Sequence, residues 1–218
     1  MTLERKNLYI LLTILLLVIA SALGIALKLE HEPAMQRMGS ETFIAAQRME
    51  VYKVINEAAE LIDKRNLAQA EKYLLDAVKQ YPLNLDIWML LGTVYYQQEN
   101  YEKAAQIFKH TLKHKPDSAP AYNNLAMTQL KIQRYAEAEA AIRNALQREP
   151  DNGAILLNAA NIYAEQRQDK AALAYLKRAL DRGIKPEEVS SYIELVRLLE
   201  RPDFMEYYRS RQSRKDKK

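Results

Sequence analysis

Residues 85–118 read LDIWMLLGTVYYQQENYEKAAQIFKHTLKHKPDS, and this stretch decides the fold. Trp88, Leu91, Gly92 and Tyr95 fall at i, i+3, i+4 and i+7, the spacing that places side chains on one face of an α-helix. Glu99-Asn100 interrupts the pattern. Ala104, Ile107, Phe108 and Leu112 then mark a second amphipathic helix. Pro116 ends it, because proline lacks an N–H and clashes with the preceding turn. The stretch is therefore a pair of short helices joined by a brief break.

The pair recurs on both sides. Pro82, Pro116 and Pro150 are spaced by 34 residues. In the following copy Tyr122, Leu125 and Ala126 take the first-helix positions, and Ala138, Ile142 and Ala145 the second. A third copy carries Leu156, Ala159, Ala160 and Tyr163, then Ala172, Leu176 and Ala179, and closes on Ile184 with Pro186 two residues late. An earlier copy, 51–84, keeps Ala58, Leu61, Ala70, Leu74, Ala77 and Pro82 but places charged Glu57 where the others carry Leu or Ala. Gly92, Ala126 and Ala160 share one position and Ala104, Ala138 and Ala172 another, as expected where helices cross closely and a larger side chain would overpack.

The set Trp88, Leu91, Gly92, Tyr95, Ala104, Phe108 and Pro116 resembles the tetratricopeptide repeat family, whose pattern is W-x2-L-G-x2-Y…A-x3-F…P. The resemblance implies an all-α solenoid of helix–turn–helix units over 41–208, with repeats at 51–84, 85–118, 119–152 and 153–186 and a cap at 187–208. Stacking also demands that cap on physical grounds, because the last helix otherwise exposes an apolar face. Val189, Tyr192, Ile193, Val196 and Leu199 supply a cap stripe at helical spacing. Asp203 is placed to cap a last short helix carrying Phe204, Tyr207 and Tyr208.

Ahead of the repeats, Leu8 to Leu27 runs LYILLTILLLVIASALGIAL without a charge. Twenty helical residues span about 30 Å, the thickness of a bilayer core. This segment reads as a single transmembrane anchor behind a seven-residue tail, with 28–40 as a linker broken by Pro33 and Gly39. A cleaved signal peptide ending at Ala20-Ser21-Ala22 is the competing reading, although it leaves apolar Leu23–Leu27 on the mature chain. Arg5 and Lys6 on the short tail favour an inside N-terminus, which puts the repeats across the membrane. The expected location is a bacterial inner membrane with the repeats on the periplasmic side, by resemblance to anchored repeat proteins of bacterial envelopes.

Composition narrows the function. The 218 residues are 49% hydrophobic and 28% charged, too apolar for a disordered chain. A mean hydropathy of −0.38 excludes a multi-span membrane protein. The absence of cysteine excludes disulfides, thiolate metal sites and Cys nucleophiles. The formal charge of +4 is local: residues 209–218 hold six Lys/Arg and one Asp, a net +5, so 1–208 net to −1. That tail is expected to be disordered. It lacks aromatic residues for base stacking, and nucleic acid is not an expected partner.

No catalytic constellation is present, and no enzyme activity, cofactor or metal is expected. There is no phosphate-cradling loop, G-x-S-x-G or H-E-x-x-H. His110 and His114 are spaced i, i+4, but no third ligand accompanies them, and Lys109, Lys113 and Lys115 would repel a cation.

In the family, the first helix of each repeat lines an inner groove that receives a peptide or partner helix. The resemblance assigns that groove to Met89, Thr93, Tyr96 and Gln97 of one repeat. The next contributes Asn123, Asn124, Met127, Leu130 and Lys131, and the last Leu157, Asn158, Asn161 and Glu165. An asparagine amide both donates and accepts, so it can pair with a peptide backbone or equally tie neighbouring helices together. Some members clamp a chaperone's C-terminal carboxylate; here only Asn124 resembles that set, and Met89 and Thr93 stand where Lys and Asn are wanted. The expected partner is a protein or peptide, with a membrane engaged through the N-terminal helix. The alternative is a self-associating subunit that forms a homodimer.

Overall fold

A computed structural model of the chain describes residues 45–215. The N-terminal tail, the apolar segment Leu8–Leu27, the linker and the first residues of the expected solenoid, 41–44, lie outside the described residues. Among the described residues no helix is long and apolar enough to cross a membrane. The chain divides into two units, 1–53 and 54–218. The described part of the first is helical, and helix α1 is described over 45–63.

The second unit is all helix and turn, with no strand among the described residues. After α1 come α2 (Leu67–Gln80), α3 (Leu85–Gln97), α4 (Tyr101–His114), α5 (Ala119–Lys131), α6 (Tyr135–Arg148), α7 (Gly153–Glu165) and α8 (Asp169–Asp181). The starts of α3, α5 and α7 are 34 residues apart, as are those of α2, α4, α6 and α8. From α2 to α8 each helix packs on its neighbours in chain order, which is the antiparallel stacking that short connections impose.

The turn inside each unit is the same piece of chemistry four times. Arg65, Glu99, Gln133 and Arg167 take left-handed φ values of 59°, 62°, 59° and 60°. At one such turn Glu99 N–H donates to the Tyr96 carbonyl and Asn100 N–H to the Tyr95 carbonyl, and the other three repeat the pair. This is the Schellman arrangement, which satisfies the last carbonyls of a helix. Asn100 then accepts from the Lys103 N–H through its side chain and opens the next helix. Asn84, Ser118 and Asn152 cap α3, α5 and α7 in the same way.

Close crossings explain the small residues. A Cβ built on Gly92 would lie 2.6 Å from Phe108 Cε1 and 3.1 Å from Ile107 Cγ2. Where the later units carry Ala126 and Ala160, the residues equivalent to Phe108 are the smaller Ile142 and Leu176. The divergent Glu57 of the first unit is accommodated by Tyr73, whose hydroxyl donates to Glu57 Oε2 at 2.6 Å.

The core is two contiguous clusters, one from Val54 to Ile162 and one from Leu156 to Phe204. Helix α7 serves both: Ile155, Ala159 and Ile162 join the first, and Leu156, Ala160 and Tyr163 the second. That is why GAILLNAANIYAE is buried over most of its circumference.

The cap departs from the sequence expectation. The stripe Val189, Tyr192, Ile193, Val196 and Leu199 does not pack as one helical face. Helix α9 (Pro186–Val189) stops after one turn, and α10 (Ile193–Leu199) restarts in a different phase. Ser190 and Ser191 cause the break, since their hydroxyls donate to the Glu187 and Glu188 carbonyls at 2.6 and 2.8 Å and compete with helix propagation. Val189 is buried and Tyr192 and Leu199 pack against the core as the stripe requires, but Leu195 and Leu198 are buried in place of Ile193, 84% exposed, and Val196.

The tail expected to be disordered from Arg209 is helical as far as Lys215, within α11 (Pro202–Lys215). Phe204 is buried, the Tyr207 hydroxyl donates to the Lys177 carbonyl at 3.0 Å, and Arg211 bonds the Leu180 carbonyl and pairs with Asp181. Residues 204, 207 and 211 share one face, so docking on α8 carries the helix into the basic run.

Candidate functional site: the inner groove

The first helices α3, α5 and α7 lie side by side and open a cavity of about 330 Å³. Helix α3 supplies Thr93, Tyr96 and Gln97, helix α5 supplies Asn123, Asn124 and Met127, and helix α7 supplies Asn158. These seven were assigned to the groove from sequence. Phe108 and Tyr192 complete the lining. Phe108 arrives because it packs beneath Gly92 and its ring reaches the floor. Tyr192 arrives because of the Ser190-Ser191 break, and that serine pair is the one sequence signal that could have pointed to it.

The other six expected residues fall elsewhere. Met89, with Thr93, lines an adjoining hollow beside Leu90 and Ser118. Leu130, Leu157 and Asn161 are buried at 7%, 5% and 5% exposure. Lys131 and Glu165 are exposed but do not line the cavity. Helix α5 packs against α3, α4, α6 and α7, and α7 against α5, α6, α8 and α10, so the face left open is narrower than a helical stripe.

The site is built of neutral polar groups. Asn158 Nδ2 donates to Asn123 Oδ1 at 2.9 Å, and the Tyr192 hydroxyl donates to Asn158 Oδ1 at 3.0 Å. Asn124 lines the cavity outside this chain of bonds. Gln97 Oε1 is buried with no hydrogen-bond partner among the described residues. Burial pushes the Tyr96 hydroxyl up to about 12, helped by nearby Tyr101 and Tyr192. Burial also raises Tyr192, with Glu188 adding to it. Both phenols are therefore neutral donors at ordinary pH. No charged side chain lines the cavity among the described residues.

The histidine pair singled out in the sequence lies on α4. The rings of His110 and His114 are 4.8 Å apart, but His110 also packs on Trp88 at 4.4 Å. Burial holds His110 below its usual range, assisted by His114 and Lys113. No cluster of three or more His, Cys, Asp or Glu that could hold a metal exists among the described residues.

The helix pairs, the 34-residue period and the inner groove define an α-solenoid, and the chain belongs to the tetratricopeptide repeat family. The family model matches residues 55–119 and 123–187, more than half of the 218 residues. No curated protein matches the sequence. Among solved structures, the fold is similar to PilF of Pseudomonas aeruginosa, at a TM-score of 0.60 and 20% identity over 73% of this chain and 68% of that one. It is also similar to an RS-1 MamA double mutant, at a TM-score of 0.57 and 19% identity over 73% and 95%. A crystal structure of MamA matches at a TM-score of 0.54 and 16% identity over 70% and 87%.

Proposed function

We propose that this chain is a non-catalytic scaffold that binds a partner protein or peptide in its inner groove. The observation that carries this reading is the convergence of Gln97, Asn123, Asn124 and Asn158, from three successive repeats, on one 330 Å³ cavity with apolar flanks. Amides grip a peptide backbone by donating and accepting, largely without regard to its sequence, while Met127 and Tyr96 adapt to a side chain. With no charge in the lining among the described residues, the groove favours a neutral residue. The proposed setting is the periplasmic face of a bacterial inner membrane, with Leu8–Leu27 as the anchor and envelope assembly (cytochrome c maturation, secretion or outer-membrane biogenesis) as the process served.

The test is partner capture by the full chain. Asn124→Ala with Met127→Ala is the variant of choice, because neither side chain belongs to the Asn123–Asn158–Tyr192 bonds. Loss of specific co-purifying proteins, with thermal melting unchanged, is the expected outcome. Capture equal to wild type and to the surface control Lys72→Ala would sink the reading. A reporter fused after Lys218 and active in one compartment only checks the side of the membrane.

A further inference from the structure

We propose that Tyr192 is a built-in occupant of the inner groove, held there by Asn158 and withdrawn when a partner enters. The proposal rests on the groove reading above and adds its regulation. Among the described residues Tyr192 is the one cavity residue from outside α3, α4, α5 and α7. Its hydroxyl takes Asn158 Oδ1 at 3.0 Å, while the other half of that amide is engaged by Asn123 at 2.9 Å. A partner can reach the Asn158 carbonyl by supplying a donor of its own in place of the phenol. Neutral segments carrying a hydroxyl or amide donor are therefore favoured over charged ones.

The segment that carries Tyr192 is built for two arrangements. In this structure it is extended at φ −110° and ψ 97°, between a one-turn α9 and a seven-residue α10. Ile193 is 84% and Val196 39% exposed, while Leu195 and Leu198 are fully buried. Yet Val189, Tyr192, Ile193, Val196 and Leu199 are in phase for one uninterrupted helix. Closing the Ser190-Ser191 break would exchange Leu195 and Leu198 for Ile193 and Val196, two apolar residues for two, and carry Tyr192 out of the groove. A switch needs two packings of similar stability, and this stripe supplies the second. The partner drives the change by binding the open arrangement only.

The chain contains no cysteine, so a single introduced thiol reports groove access cleanly. Met127→Cys lines the cavity, and its labelling rate with a maleimide is measured in the full chain with and without Tyr192→Phe. The phenylalanine keeps the wall and removes only the bond to Asn158. Faster labelling by about fivefold, the population shift that follows loss of one hydrogen bond, is expected. Labelling at the parent rate would show Tyr192 to be a passive wall and overturn the proposal. Ile142→Cys, a thiol at a fully buried position that a smaller side chain does not overpack, separates gating from unfolding. It stays protected if Tyr192 gates the groove, and equal acceleration at both positions also overturns it. No partner is needed, so the outcome is independent of whether the groove variants lose capture.

Discussion

At the scale of single residues, the fold is tuned by pairs that face each other across a crossing. Gly92 is glycine because Phe108 is phenylalanine: the missing Cβ would sit 2.6 Å from the ring. Gly92→Ala should lower stability by about 1–3 kcal/mol, the usual penalty of overpacking, even though alanine is the better helix former. Adding Phe108→Leu should restore much of the loss, since the fourth unit already pairs Ala160 with Leu176. Thermal melting of the single and double variants checks both, and a Gly92→Ala protein that melts with wild type counts against the close crossing. These positions were legible in advance because a repeat is its own comparison: small residues return every 34 places. Tyr192 was not legible. Its place in the groove depends on Ser190 and Ser191 diverting their hydroxyls to the preceding turn, a competition that apolar periodicity does not register.

At the scale of elements, the end of the stack is held by charge as well as apolar contact. Arg197 of α10 donates to Asp169 at 2.6 and 2.7 Å, to Glu194 at 2.9 Å and to the Ala164 carbonyl at 3.2 Å. It thus ties the cap to α7 and α8. The hydrogen bonds from Arg197 hold the Asp169 carboxyl below its ordinary range. A depressed carboxylate stabilises the fold above its unfolded value of 3.8, and that stability is lost as pH falls through the lower folded value. Arg197→Met should therefore cost about 1.5–3 kcal/mol near neutrality, the range for hydrogen bonds to charged groups. It should also shrink the drop in melting temperature between pH 5 and pH 3, and an unchanged pH profile would assign the docking to apolar contact alone. The opposite sign applies to Tyr163. Burial, followed by its hydrogen bond to Glu139, pushes its hydroxyl from 10.0 up to about 12. The folded state keeps this proton longer than the unfolded one, so its contribution is complete below pH 10 and is lost between 10 and 12. Tyr163→Phe should flatten alkaline unfolding over that interval. The end helices were only half legible: Phe204 and Tyr207 announced a helix, but its run through Arg211 depends on Asp181 and the Leu180 carbonyl, contacts made about thirty residues away.

At the scale of the whole molecule, a stack of units has stability that varies along its length, because inner units have neighbours on both sides and end units on one. Helix α7 is the joint. Nine of its thirteen residues are buried, and it contributes to both core clusters. Helix α11 is attached through Phe204, Tyr207 and Arg211 and is otherwise largely exposed. Native-state hydrogen exchange should therefore be slowest in α5 to α7 and fastest in α11, with α9 and α10 opening ahead of α8. Opening of the cap also frees the groove, because Tyr192 leaves with it. Tyr192→Phe should accordingly speed exchange in residues 190–199 while the amides of α5 and α7 keep their rates. If α7 instead accelerates together with the cap, the two open as one unit. The groove would then be exposed only when its own far wall unfolds, and no partner could use it as a formed site.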